Sequence, residues 1–298
     1  MIFSSYVFIG IGNHAINTLM PSIPRNKISI ISTNNSQYKN YISIESIPKK
    51  IKQKSLFVIS TPPKTHYRII IKLINNNVQF IYVEKPSVLK QSQALSVTRL
   101  IKKKNIIFVE MYMYLYTKMY KKFYSNFSKN RTSIKLMNIK FIIPNLKYIS
   151  FRDNDDFKDS FFFDMGCYPF SLFHDLKIEI PDRKNIIFKK SKNQIHFSFK
   201  SDKTTYKIHF GYGKKYHNSI QLVSNKLDII YNNFFYGKKK EKTILFKNLN
   251  SFELIQDINA FSKMFKFQNH SLANHSQISL RRMNFVSRQF DYFIKFMD

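Results

Sequence analysis

Acidic side chains are scarce in this 298-residue sequence: 18 Asp and Glu stand against 49 Lys and Arg, a formal net charge of +31. Cysteine is scarcer still. Cys167 is the only one, which excludes an intrachain disulfide framework. No C-x-x-C or H-x-x-x-H pair is present, so no metal site is indicated. Tryptophan is absent, and the six glycines fall at positions 10, 12, 166, 211, 213 and 237. In so depleted a chain, a glycine marks a place where a side chain would be costly. No apolar run approaches the ~20 residues that cross a bilayer. The chain opens directly into "SSYVFIGIG", with no basic n-region and no small-residue cleavage site. We therefore expect a cytoplasmic protein without a membrane partner.

The basic surplus invites a nucleic-acid reading. Yet it is spread along the whole chain and uses Lys far more than Arg, whereas a phosphate-reading surface clusters its charge and favours Arg. Ile, Asn, Phe and Tyr are also abundant. This is drift towards residues that A/T-rich codons encode, and nucleic acid is not the expected partner. The surplus would still draw in anionic ligands such as a phosphorylated cofactor or a sugar nucleotide.

The first 110 residues alternate short apolar runs with helical spacing. Strands are expected at 6–10, 27–32, 55–60, 78–83 and 105–110, and helices at 13–20, 66–77 and 88–104. Strands apolar on both faces and separated by helices form parallel sheets covered on each side. Beyond residue 110, runs such as "QIHFSFK" and "TTYKIHFGYG" alternate polar and apolar, the pattern of an antiparallel sheet with one solvated face. Helices are expected near 119–127, 170–176, 252–265 and 277–296. The fold class is α/β: a Rossmann doubly wound parallel sheet over 1–110, then an α+β domain with a mainly antiparallel open sheet over 111–298. The second domain would bind substrate and support oligomerisation, with the C-terminal helix packing back on the first.

"FIGIGNHA" places Gly10, Gly12 and Ala15 in a G-x-G-x-x-A turn between a strand and a helix. The first glycine makes the turn, the second lets a pyrophosphate approach, and the third position must be small for the helix to pack. Asn13 and His14 complete the turn, and the helix start offers amide donors. A tight turn without ligand has the same pattern. The second strand ends in Ser32-Thr33-Asn34, with no carboxylate to hold an adenosine ribose, and Lys39 follows. A neutral pocket beside a lysine suits a 2′-phosphate, so the expected cofactor is NADP or NAD, with NADP favoured.

The third strand runs into "STPPKTH" and the fourth into "VEKPS". With the first turn, these resemble the N-terminal pattern of the Gfo/Idh/MocA family of NAD(P)-dependent oxidoreductases. "VEMYMYLY" (109–116) resembles that family's "EAFMYRF" segment, and "FFFDMGCYPFSLF" (161–173) its "GGALxDxGCYPI" segment, in the subgroup with Tyr where others carry His. The matches run in order over about residues 6–173. The resemblance implies that Gly10, Gly12 and Ala15 form the phosphate turn. It places Thr61 and Pro62 beside the nicotinamide ribose, and Glu84 and Lys85 at the nicotinamide end with Lys85 facing substrate. Asp164 and Tyr168 would be the acid–base pair of the second domain, and His66 is either structural or cofactor-facing. A sugar-like small molecule is the implied substrate, and a homo-oligomer paired through the C-terminal sheet the implied assembly.

Removing hydride from a secondary alcohol needs a base for the hydroxyl proton and positive charge at the nascent carbonyl. A free Tyr, with a pKa of roughly 10, is a poor base at neutral pH, and an ammonium such as Lys85 would favour its phenolate. Asp164 would orient one of these groups or bind a substrate hydroxyl. Pro169 suggests that 164–168 is a loop or turn leading into a helix. Cys167 reads as a small buried side chain, and Tyr112, Tyr114 and Tyr116 as one packed sheet face. The family's Gly-rich lead-in is replaced by "KDSFFF", and Leu115, Thr117 and Lys118 stand where Arg, His and Pro are usual. These departures leave a second reading, a non-catalytic dinucleotide-binding relative with a regulatory or interaction role.

Overall fold

The computed structural model describes residues 3–31, 38–144, 160–237, 241–257, 259–265 and 269–297. The chain divides into two compact units, Met1–Tyr112 with Phe261–Tyr292, and Met113–Ala260 with Phe293–Asp298.

The first unit is built on six parallel strands. In chain order its elements are β1 (Tyr6–Ile9), β2 (Ile28–Ile31), β3 (Lys39–Tyr41), α1 (Lys49–Lys54), β4 (Leu56–Ile59), α2 (Pro63–Asn75), β5 (Phe80–Glu84), α3 (Gln91–Lys104) and β6 (Ile107–Met111). The strand order β3-β2-β1-β4-β5-β6 reverses direction at β1/β4, the switch point beside which ligands bind in such sheets. Val7, Phe8, Phe57, Val58, Ile81 and Val83 are fully buried, as strands covered on both faces require. Pro63 starts α2, where its missing N–H costs nothing, and Ile70, Leu73 and Ile74 form the helix's buried stripe.

The second unit holds α4 (Lys118–Asn130), β7 (Leu136–Pro144), α5 (Ser160–Leu176), β8 (Ile186–Lys190), β9 (Gln194–Ser201), β10 (Thr204–Gly213), β11 (His217–Val223), β12 (Asp228–Asn232), β13 (Glu241–Phe246) and β14 (Ser251–Gln256). Its sheet runs β14-β13-β12-β11-β7-β10-β9-β8 and is antiparallel except for the β7/β10 pair. Alternate residues face an aromatic core. Phe123 of α4 packs edge-on against Tyr231, and Phe170 and Phe173 of α5 lie against Phe197 and Phe199. The short α6 (Ala260–Met264) and the long α7 (Asn269–Ile294) follow. In the first unit, Ser276 and Ser279 of α7 accept the backbone N–H groups of Phe108 and Glu110, occupying donors on edge strand β6.

The α/β class, the parallel sheet and the mainly antiparallel second sheet agree with the sequence reading; several local expectations do not. The helix expected at 13–20 widens into a π-turn over Ala15–Leu19, then tightens to a 3₁₀ turn over Met20–Ser22 that contains Pro21. Pro21 has no N–H to return to Asn17, and Met20 instead donates to the Ala15 carbonyl. Tyr114 and Tyr116 sit in a 3₁₀ turn, Met113–Tyr116, rather than on a sheet face. Residues 251–256 form a strand, not a helix: they alternate and pair in register with β13. Short β3 is an additional strand. The largest correction concerns Pro169, which lies inside α5 instead of preceding it. That helix is apolar nearly all round, and Phe161, Phe162, Phe170, Leu172 and Phe173 are buried. Packing of those side chains outweighs the ~3 kcal/mol that an interior proline costs.

No helix among the described residues is long and apolar enough to cross a membrane.

Candidate functional site

Three loops meet at the carboxyl edge of the first sheet. Gly10 follows β1 with φ of +87°, a conformation glycine alone adopts without strain. A Cβ there would also lie 2.6 Å from the Ser60 carbonyl oxygen, so the β1 turn sits directly against the end of β4. Gly12 is different: a Cβ at this position would meet nothing within 4 Å. The space over the turn is open, and the backbone beneath it is bare. This is the cradle a pyrophosphate needs, and Ala15, fully buried, supplies the small packing residue. The residues present therefore fit a dinucleotide.

His66 ties the other two loops together. It is fully buried in α2, with Nε2 2.7 Å from the Thr61 carbonyl oxygen and Nδ1 2.9 Å from that of Pro86. Burial is the largest influence on its imidazole and holds its pKa below the usual value, while the two carbonyls pull the other way. Of the two roles left open by the sequence, the structural brace is the one these contacts describe. Thr61 adds a hydroxyl bond of 2.6 Å to Thr65. The Lys85–Pro86 peptide is cis. Beside it, Nε2 of His14 lies 3.0 Å from Oε1 of Glu84, joining the phosphate turn to the end of β5. Glu84 is largely buried and His14 half-exposed. Asn13 is exposed on the same turn. Ser32 and Thr33 lie outside the described residues.

A residue the sequence reading missed stands behind this edge. Glu110, at the end of β6, accepts the Ser87 N–H at 2.7 Å and is buried, which raises its pKa. The signal was present: "VE" ends β5 and recurs one residue before the end of β6, and Val83 of one pairs with Glu110 of the other.

In the second unit, Asp164 and Tyr168 stand one turn apart on α5, on one face of the same helix. Both are buried, at 4% and 5% exposure. Oδ2 of Asp164 accepts from the Tyr212 hydroxyl at 3.5 Å. Tyr168 packs against Phe141, Phe235 and Tyr114, with ring centres 4.8, 5.2 and 6.3 Å away. Below it, Ser171 Oγ donates to the Tyr168 carbonyl oxygen at 2.8 Å and lies 2.9 Å from the Tyr114 hydroxyl. Gly166 lets α5 approach β10, since a Cβ there would come within 3.1 Å of the Phe210 ring. Cys167 is buried and donates to the Asp164 carbonyl oxygen. Tyr212 carries no motif, and only the folded chain brings it and Tyr114 to α5.

Residues 6–112 match the model of an oxidoreductase family with an NAD-binding Rossmann fold. Similar solved structures include a mutant of KijD10, a 3-ketoreductase from Actinomadura kijaniata, in complex with TDP-benzene and NADP; it is 12% identical, with 98% of this chain and 97% of that chain covered at a TM-score of 0.81. The UDP-N-acetylglucosamine 3-dehydrogenase GnnA from Acidithiobacillus ferrooxidans is 10% identical, with 97% of each chain covered at a TM-score of 0.68. At these identities the likeness is one of fold. No curated protein matches the sequence.

Proposed function

We propose that this chain, which carries in residues 6–112 the NAD-binding domain of the Gfo/Idh/MocA oxidoreductase family, transfers hydride between NADP or NAD and a hydroxyl or carbonyl carbon of a sugar derivative. The observation that carries the proposal is the meeting of three loops at one sheet edge. There the open cradle over Gly12 adjoins the Thr61 and Pro86 loops, which His66 holds, and the Glu84 carboxylate, which His14 holds. The nicotinamide, when bound, supplies or accepts the hydride. Gly10, Gly12, Asn13, His14 and Ala15 would hold its phosphates, Thr61 and Pro62 the nicotinamide ribose, and Glu84 the nicotinamide end.

Lys85 would place positive charge on the substrate oxygen that becomes a carbonyl. Tyr168 would take the hydroxyl proton in oxidation and return it in reduction, and Asp164 would orient the reacting groups. The similar structures support a nucleotide-linked sugar as the first substrate to try: one is a ketoreductase bound to a TDP compound, the other acts on a UDP-sugar. NADP in the KijD10 complexes and Lys39 at the start of β3 support NADP over NAD. Self-association through the open face of the second sheet is part of the proposal, supported by Phe252 and Leu254, 64% and 50% exposed on β14. A cytoplasmic setting is supported by the single buried cysteine.

The test is turnover with NADPH and a panel of keto-sugars and nucleotide sugars. Lys85→Met and Tyr168→Phe should each lower kcat by at least 100-fold while leaving the cofactor Kd within about threefold. Unchanged kcat in both variants would defeat the catalytic assignment. Cofactor binding without turnover on any substrate would favour the non-catalytic reading.

A further inference from the structure

The peptide that joins Pro86 to Ser87 is gripped at both ends by buried side chains. Its carbonyl oxygen lies 2.9 Å from Nδ1 of His66, and its N–H donates to Oε1 of Glu110 at 2.7 Å. One grip comes from α2, the other from β6, the neighbour of β5 in the sheet. A trans peptide points its C=O and N–H in opposite directions, so the two side chains together fix both the position and the tilt of the plane. Lys85 stands between this peptide and Glu84, which pairs with Met111 of β6. The Lys85 backbone is therefore held on both sides, by the sheet before it and by the gripped peptide after it.

Glu110 is itself held. It pairs in register with Val83, its N–H donates to Ser279 Oγ of α7 at 3.2 Å, and it is 2% exposed. Arg282, one turn further along α7, is also buried, with its guanidinium carbon 5.7 Å from the centre of the Tyr112 ring. Burial pushes the Glu110 carboxyl up in pKa, against the Ser87 N–H and the charges of Arg282 and Lys85, which favour its ionised form. A buried carboxyl is costly, and Phe108, Val109 and Met111 beside it on β6 are buried apolar residues. Its Oε2 accepts no hydrogen bond among the described residues. The directed bond this side chain makes is the one to Ser87.

We propose that Glu110 is a positioning residue for Lys85: by holding the Ser87 N–H it completes, with His66, a clamp on the strand end from which the Lys85 ammonium reaches the reacting oxygen. This rests on the role proposed above for Lys85, and Glu110 acts through that residue. A lysine ammonium rides on a flexible four-carbon stem that adds no precision of its own. Reacting groups must be held within about 0.5 Å of the productive geometry, so the precision has to come from the backbone and its supports. The bond to Ser87 needs an acceptor within reach, not a charge. Two substitutions separate these properties. Glu110→Gln keeps the reach and loses the charge. Glu110→Asp keeps the charge but is one methylene too short to hold the Ser87 N–H.

The experiment compares both variants with the wild type in two readouts on the full chain. The first is independent of turnover: the exchange rate of the Ser87 amide proton and the ε-carbon resonance of Lys85. Glu110→Asp should speed Ser87 exchange at least tenfold and move the Lys85 resonance, while Glu110→Gln leaves both near their wild-type values. The second is steady-state kinetics on a keto-sugar or nucleotide sugar that the wild type reduces. Glu110→Asp should lower kcat by about 10- to 100-fold, with substrate KM and NADPH Kd within about threefold, and Glu110→Gln should restore kcat to within about threefold of wild type. Should Glu110→Asp not fold, Glu110→Leu, which also removes the acceptor, takes its place with the same expectations. The proposal is overturned if Glu110→Gln is the impaired variant, if KM rises in step with the loss of kcat, or if Ser87 exchange quickens while the Lys85 resonance stays where it was. If the wild type turns over no substrate, the oxidoreductase reading has failed, and the Ser87 and Lys85 resonances alone decide whether Glu110 positions Lys85.

Discussion

Nε2 of His14 and Oε1 of Glu84 are 3.0 Å apart, although 70 positions separate the two residues in the chain. One lies in the turn after the first strand and the other closes the fifth, so their bond spans the end of β4, which lies between them in the sheet. The pair is partly solvated, with His14 side-chain exposure at 40%, and contributes at most ~1 kcal/mol to folding. His14→Ala should therefore fold normally. Under the proposed function its effect belongs on the cofactor, because Glu84, proposed to hold the nicotinamide end, loses the partner that fixes it. NADPH titration by fluorescence should give a Kd raised by about three- to tenfold, and an unchanged Kd would show that the bond plays no part in binding.

His66 predicts a pH dependence. Its folded pKa lies below the usual value of about 6.5 because of burial. Between those two values the unfolded chain binds a proton that the folded chain does not, so stability falls as pH drops below about 6.5. His196 and His209, both lowered, act in the same direction. Thermal melts of the wild type should lose stability from pH 7 to pH 5. His66→Asn should melt lower at pH 7, by ~1–3 kcal/mol for two buried hydrogen bonds disturbed, yet lose less on acidification. Parallel curves for the two proteins would contradict this account.

Lys242 and Asp257 form an ion pair with both side chains fully buried, at 3.1 Å. Lys242 also donates to the Tyr236 carbonyl oxygen, and Asp257 accepts the Lys118 and Met119 N–H groups at the start of α4. Removing one partner strands a buried charge and should cost ~3–5 kcal/mol. Asp257→Ala should be worse than Lys242→Met, because it also uncaps α4. The double variant should recover part of the loss, which a double-mutant cycle by urea unfolding measures. Strict additivity would mean the pair is not coupled.

Lys39 begins β3 and sits beside β2, in register with Ser29. If it meets a 2′-phosphate, Lys39→Ala should weaken NADPH binding about tenfold while leaving NADH within twofold, the loss expected for one charge-assisted contact. Clearly tighter NADH binding by the wild type would reverse the cofactor preference proposed for the chain.

Much of the first unit was legible because its signals are local. Fully apolar strands, a turn that only glycine fits, and acid–proline strand ends can each be read within about ten residues. What misled the reading was also local. Pro169 ordinarily stops a helix, but aromatic packing on nearly every side of α5 carries the helix through it. Residues 251–256 look helical in composition until β13 pairs with them. The contacts of Tyr212, Ser171 and Glu110 had no reading at all, since each is defined by a partner distant in sequence.

The chain by itself determined the class of fold and the positions of its glycine turn, its Thr61 loop and its Glu84–Lys85 strand end, because backbone conformation and burial periodicity are properties of short segments. Only the tertiary structure decided that His66 braces two of those loops, that Asp164 and Tyr168 share a helix face, and that Glu110 reaches the Ser87 N–H from the neighbouring strand. Those relations depend on strand order, register and packing, where distances in space bear no relation to distances along the sequence.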